Sequence, residues 1–168
     1  MILAPHILIG SAIMVVSPAP FVGMPLAVAS HYALDALPHS HYSISPLKKF
    51  LRKETGLKEA LPTLLRVGLD GGIGIGGAVA LALFFDHSAV ATFWGGVAGA
   101  LPDGLTILLL LLPGSSLLFQ HNRFHEWIHH PVAKNAEHHY EETPPAHLWG
   151  IGLQIVTVSL AFLLFAKF

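Results

Sequence analysis

The chain has 168 residues, 53% of them apolar and only 11% charged, with a formal net charge of -1, twelve histidines and no cysteine. A soluble domain carries about 25% charged residues, so a mean hydropathy of +0.61 points to the bilayer as solvent and to a single membrane domain, 1–168. The charge balance gives no case for nucleic acid as a partner. The missing cysteine excludes disulfides, thiolate metal sites and cysteine nucleophiles.

In chain order, the first apolar segment runs from Ile2 to about Val16 and stops at the turn signal SPAP. It lacks a basic n-region, so it reads as a retained hydrophobic helix rather than a cleaved signal peptide. Both it and the second segment, Val22 to Leu37, are short for a span, and together they predict a helical hairpin that is tilted, re-entrant or packed in a bundle. A basic loop, 40–60, follows. Lys48, Lys49, Arg52, Lys53, Lys58 and then Arg66 make up six of the nine Lys and Arg residues. The positive-inside rule places this loop in the cytoplasm, and its LKKFLRKETGLKEAL pattern also suits a short amphipathic helix on anionic headgroups.

Segment three, Leu61 to Phe85, is long enough to span. Its GLDGGIGIGGA centre fails as a phosphate loop, because it follows a helix-like run and lacks the GK[ST] ending. Close helix packing through Gly68, Gly72 and Gly76 is the simpler reading. Segment four, Ala89 to Leu112, is either one helix broken at Pro102 or two re-entrant pieces. A polar, histidine-rich segment, 119–147, leads to a last span, Leu148 to Phe165. The expectation is an all-α polytopic bundle of about five spanning or re-entrant segments in the inner (cytoplasmic) membrane. Glycine spacing also permits a homo-oligomer.

Within this frame the polar groups gather. His31 and Asp35 lie one turn apart on one helix face, His39 continues that face if the helix survives Pro38, and His6 opens the first helix. Asp103 sits beside the proline of segment four. His121, His125 and His129 repeat every four residues with Glu126 among them. Asp70 has Arg66 one turn before it as an ion-pair partner. A lone carboxylate at membrane depth costs roughly 2.5–3.5 kcal/mol, so it persists when paired, hydrated or bound to metal. Imidazole with carboxylate suits zinc, manganese or iron, and two such clusters could hold two ions. The metal candidates are His6, His31, Asp35, Asp103, His121 and His125, with His121 or His129 left open as the partner of His125. His39 and Glu126 are candidates for moving protons. The plain alternative for the same residues is a structural polar network.

These motifs resemble the bacterial and archaeal membrane-bound metal-dependent hydrolases. The resemblance rests on PHILIG with His6, on HYALDALPH with His31, Asp35 and His39, on LPD with Asp103, and on HNRFH with His121 and His125. It covers Met1 to His130. The second acid of the PD-I-D form is missing, since GLT follows Asp103. The resemblance implies a small multi-span enzyme that uses metal-activated water. Where the site lies suggests a phosphoester of a membrane lipid or lipid-like substrate near the cytoplasmic face, with one or two divalent ions as cofactor. The rivals are a divalent metal-ion transporter or sensor, and a non-catalytic membrane scaffold.

Overall fold

The computed structural model describes residues 3–37, 39, 42–129 and 144–168. The stretch 130–143, most of the second half of the histidine-rich segment, lies outside the described residues. So do His130, His138 and His139. All regular structure among the described residues is helical: α1 (Leu3–Val16), α2 (Pro20–Asp35), α3 (Ser45–Leu51), α4 (Leu57–Phe84), α5 (Ala89–Leu111), α6 (Ser116–His129) and α7 (Pro144–Lys167).

Three helices are long and apolar enough to cross a membrane: Leu57–Phe84, Ala89–Leu111 and Trp149–Lys167. Helices α1 and α2, with 14 and 16 residues, are shorter than the roughly 17–25 residues of an ordinary span. Large apolar side chains remain exposed along the long helices, among them Leu65, Leu69 and Ile73 on α4 and Ile155, Val156 and Leu163 on α7. In water such surfaces would drive association. A bilayer leaves them at no cost.

Helix α1 stands at the centre and touches α2, α4, α5 and α7. Its closest approach is to α5, through glycine on both sides. A Cβ added at Gly10 would lie 2.5 Å from the Gly95 carbonyl oxygen, and one added at Gly99 would fall on the His6 carbonyl. The helix axes can come this near only because these residues lack side chains. The packing glycines are therefore Gly10, Gly95, Gly96 and Gly99, with Gly74 of α4 against Ala4. The expected stripe of Gly68, Gly72 and Gly76 is not among them: among the described residues nothing lies within 4 Å of a Cβ at any of the three. Glycine spacing alone does not say which face of a helix meets a neighbour.

Helix α5 runs unbroken through Pro102, which settles the choice between one helix and two pieces. Ser88 caps its start by accepting from the Ala91 amide at 3.2 Å. Helix α2 starts on Pro20 and ends at Asp35, so the helical face does not continue to His39. Asp70 of α4 caps α1: it accepts from the Leu3 amide at 2.5 Å, the Ala4 amide at 3.3 Å and the Tyr42 hydroxyl at 3.1 Å. A carboxylate there suits the positive end of the helix dipole. Arg66 lies over the Tyr42 ring, 5.8 Å from its centroid. Burial, and after it the Asp70 carboxylate, pushes the Tyr42 phenol above its ordinary pKa.

The two ends of the bundle differ. At one end Ile9, Ala12, Ala78, Ala82, Ala161 and Phe165 of α1, α4 and α7 form a dry core. There His87 donates from Nε2 to the Phe165 carbonyl at 2.8 Å, satisfying an end carbonyl of α7. The other end carries the imidazoles.

Candidate metal centre

Four segments deliver the polar groups. The first turn of α1 supplies His6, the last turns of α2 supply His31 and Asp35, and α5 supplies Asp103 one residue past its proline. Helix α6 supplies His125 and His129. His6, His31 and Asp35 are 0%, 0% and 1% exposed, far beyond what unpaired polar side chains tolerate.

Asp35 is the hub. Its Oδ2 lies 2.9 Å from His125 Nε2, 3.0 Å from His31 Nε2 and 3.1 Å from His129 Nε2. Its Oδ1 lies 3.2 Å from His6 Nε2 and 3.6 Å from His39 Nε2. Asp103 Oδ1 faces the same group, 3.8 Å from His31 Nε2 and 3.9 Å from His125 Nε2. Among the described residues three overlapping sets have metal-ligand spacing: His6, His31 and Asp35; His31, Asp103 and His125; Asp35, His125 and His129.

The protons on these rings follow from their outer partners. His31 Nδ1 lies 2.7 Å from the Gly99 carbonyl. A carbonyl only accepts, so Nδ1 carries the proton and Nε2 of the neutral ring presents a lone pair. His39 Nδ1 stands in the same way against the Leu37 carbonyl at 2.5 Å. Thr106 Oγ1 lies 3.3 Å from the Pro102 carbonyl, one turn earlier on α5, and 3.1 Å from His125 Nδ1. When the hydroxyl donates to the carbonyl it accepts from Nδ1, and Nε2 of the neutral ring is then free to bind a cation. His31 Nε2 and His125 Nε2 are 3.2 Å apart, and each lies about as close to a carboxylate oxygen. Such a convergence of donor atoms is held together by protons on the rings or by a metal ion among them.

The donor chemistry fits a divalent metal. Ligands on a tetrahedral ion with bonds of 2.0–2.1 Å stand roughly 3.3–3.4 Å apart. His31–His125 and His125–His129 are separated at Nε2 by 3.2 and 3.3 Å. The Gly99 carbonyl and Thr106 are outer partners of the kind that fix the tautomer and aim of a metal-binding histidine. His6 adds to the case. Neither of its ring nitrogens is aligned with a hydrogen-bond partner, although the ring is fully buried.

The donors differ in access. The Asp103 side chain is 41% exposed and that of His129 is 24% exposed, whereas those of His6, His31 and Asp35 are sealed. The cluster thus opens between α5 and α6. His39, in the turn after α2, is pushed down by burial to a pKa of about 3, so it is a neutral base at ordinary pH.

Among the sequence candidates, His6, His31, Asp35, Asp103 and His125 lie together with His39 beside them. His121 points elsewhere, its Nε2 3.0 Å from the Tyr32 hydroxyl, and burial lowers its pKa. His129 occupies the place beside His125. Glu126 is on the outer face of α6, where it accepts from the Asn122 amide at 2.8 Å. Sequence reasoning missed Gly99 and Thr106. The signal available for Thr106 was its position one helical turn after Pro102, on the face that carries the proline carbonyl.

Comparison with protein-family models, curated proteins and solved structures gave no match to this chain. It is a helical protein with long apolar helices and buried His/Asp clusters able to chelate a metal.

Proposed function

We propose that the chain is a membrane-embedded metal-dependent hydrolase that cleaves a phosphoester of a lipid or lipid-linked substrate. One observation carries the reading: Nε2 of His31 and of His125 converge on the buried Asp35 carboxylate, with the exposed Asp103 and the partly exposed His129 at the edge of the group. Zinc is the ion this donor set favours, with manganese or iron as alternatives. When bound, such an ion supplies Lewis acidity and makes hydroxide accessible near neutral pH.

The chain's own residues do the rest. Asp35 and the imidazoles around it hold the ion, and the Gly99 carbonyl and Thr106 keep two of those rings aimed. Asp103, at the open edge, is the donor that meets the substrate side. His39 is neutral, with its Nε2 3.6 Å from Asp35, and suits accepting a proton from water; Glu126 is a second proton carrier on the solvent side of α6. The phosphoester preference comes from the bilayer context, because headgroup phosphates lie at the depth of helix ends. The basic helix α3 packs on α4 and α5, and Tyr42 just before it bonds the Asp70 cap of α1. The cluster and the lysines therefore share one end of the bundle, the cytoplasmic end under the positive-inside rule.

Transport fits less well. Behind the cluster α1 and α5 meet backbone to backbone at Gly10, Gly95 and Gly99, which leaves no path for an ion between them. A scaffold in which these groups merely pair would hold protons where this reading holds an ion, and metal content distinguishes the two.

The test is turnover by detergent-purified, zinc- or manganese-loaded protein on a panel of phospholipids, with phosphate and fatty-acid release followed separately. Asp103→Asn serves as the control. Phosphoester cleavage that falls at least tenfold in the variant is expected. Release of fatty acid alone would move the reaction to carboxyl esters, and no turnover by a metal-loaded, folded protein would remove the hydrolase reading.

A further inference from the structure

The donor atoms are too many for one ion. Nε2 of His6, His31, His39, His125 and His129, Asp103 Oδ1 and both oxygens of Asp35 make eight, held within one cluster. A tetrahedral ion takes four. An ion placed among His31, His125 and Asp35 alone would leave His6 fully buried, its Nε2 3.2 Å from Asp35 Oδ1 and its Nδ1 without a hydrogen-bond partner among the described residues, and a stranded buried polar group costs about 1–3 kcal/mol.

The metal-spaced sets suggest how the donors divide. His6 lies on Oδ1 of Asp35, while His31, His125 and His129 lie on Oδ2. Two of the three sets found among the described residues have Asp35 as their one common member: His6, His31 and Asp35 on one side, and Asp35, His125 and His129 on the other. The third, His31, Asp103 and His125, lies across the two and brings Asp103 to the open side. From this we infer that the cluster holds two ions that share Asp35, an inner one on His6 and His31 and an outer one on His125, His129 and Asp103.

The two sites differ in kind. The side chains of the three inner donors, His6, His31 and Asp35, are no more than 2% exposed, which matches the closed shell of a structural ion. The outer site includes the exposed Asp103 and the partly exposed His129, and so keeps the open side that a substrate or water needs. The inner ion ties α1 to α2. Its loss therefore unfastens the N-terminal hairpin, whereas loss of the outer ion leaves that hairpin in place. This inference rests on the metal reading above and adds to it the number of ions, their division and the separate task of each.

The experiment uses full-length protein in mild detergent, stripped with chelator and reloaded with Mn²⁺ alone. Bound manganese is counted after dialysis, electron paramagnetic resonance is recorded, and His6→Gln and His129→Gln are run beside the wild type. The expected result is two ions per chain with the broadened spectrum of an exchange-coupled pair. Each variant should fall to one ion with an isolated six-line spectrum, and only His6→Gln should lose most of the metal-dependent rise in melting temperature. One ion per wild-type chain would overturn the two-ion inference and leave the metal reading standing. Two uncoupled ions would overturn the sharing of Asp35, since histidines elsewhere in the chain would then hold the second. No bound manganese would remove both. Wild-type stoichiometry and coupling decide the matter even if a variant fails to fold.

Discussion

Helix α1 passes through two environments that solve burial in opposite ways. Near its C-terminal half, Ile9 and Ala12 meet Ala78, Ala82, Ala161 and Phe165, and apolar contact alone suffices. One turn closer to its start, His6 is just as buried but faces Asp35 and His31. The dry end is stable with what the chain carries. The polar end collects imidazoles around one buried carboxylate, an arrangement that a bound cation would complete. Stability of the first should therefore be indifferent to metal, and that of the second should depend on it.

The largest break in this contrast is Asp35→Ala. Removing the hub leaves an ion without its shared anion, or the imidazoles without a common partner, at a cost of about 3–5 kcal/mol. Denaturant unfolding in detergent should register that loss in metal-loaded protein, while His87→Ala at the dry end should cost far less. Retention of full stability by Asp35→Ala would mean that the cluster is not under electrostatic constraint.

Next in size is Gly99→Ala. Its new Cβ falls on the His6 carbonyl, so α1 and α5 must separate, and overpacking of this kind costs about 1–3 kcal/mol. Gly68→Ala is the matched control. Its face is open, and replacing a mid-helix glycine there should gain about 0.5–1 kcal/mol. Equal losses at the two positions would contradict the assignment of the packing face.

Thr106→Val keeps the shape of the side chain but removes the oxygen that accepts from His125 Nδ1. Outer partners of this type are worth about 10–100-fold in metal affinity. Competition titration against a fluorescent chelator would measure the change, and an unchanged affinity would show that His125 needs no such anchor.

The smallest expected effect is on pH. Burial holds the His39 pKa at about 3 in the folded chain, below the roughly 6.5 of an unfolded histidine. The unfolded state then binds the proton more readily, so this contribution is full above about pH 6.5 and is lost as pH falls toward 3. Metal-free protein should melt lower at about pH 4.5 than at about pH 7, and His39→Gln should flatten the difference. A variant with the same pH dependence as the wild type would assign the effect to other groups.

Much of this was legible in the sequence for local reasons. Apolar runs bounded by Pro, Gly and Ser marked the long helices, and the i,i+4 step of His31 and Asp35 already implied a shared face. What was not legible depends on how helices rotate about their own axes. His121 and His129 are each one turn from His125, and sequence spacing treats them alike. The contact of Tyr32 with His121 and Phe124 turns α6 so that His129 meets Asp35. Asp70 was similarly ambiguous, because a helical ion pair with Arg66 and the capping of a distant helix leave the same local pattern. His39 does come to Asp35, as its four-residue spacing suggested, but from a turn after α2 rather than from a continued helix.

The central claim is that the cluster around Asp35 holds a divalent metal, and it is tested most directly by metal content. Protein without a histidine tag, purified in mild detergent without chelator, would be analysed for zinc, manganese and iron beside Asp35→Ala/Asp103→Ala. The account predicts at least one ion per chain in the wild type and its loss in a variant that remains helical. No metal in either protein, with both folded and all three ions offered back, would contradict it and leave a scaffold of paired histidines and acids.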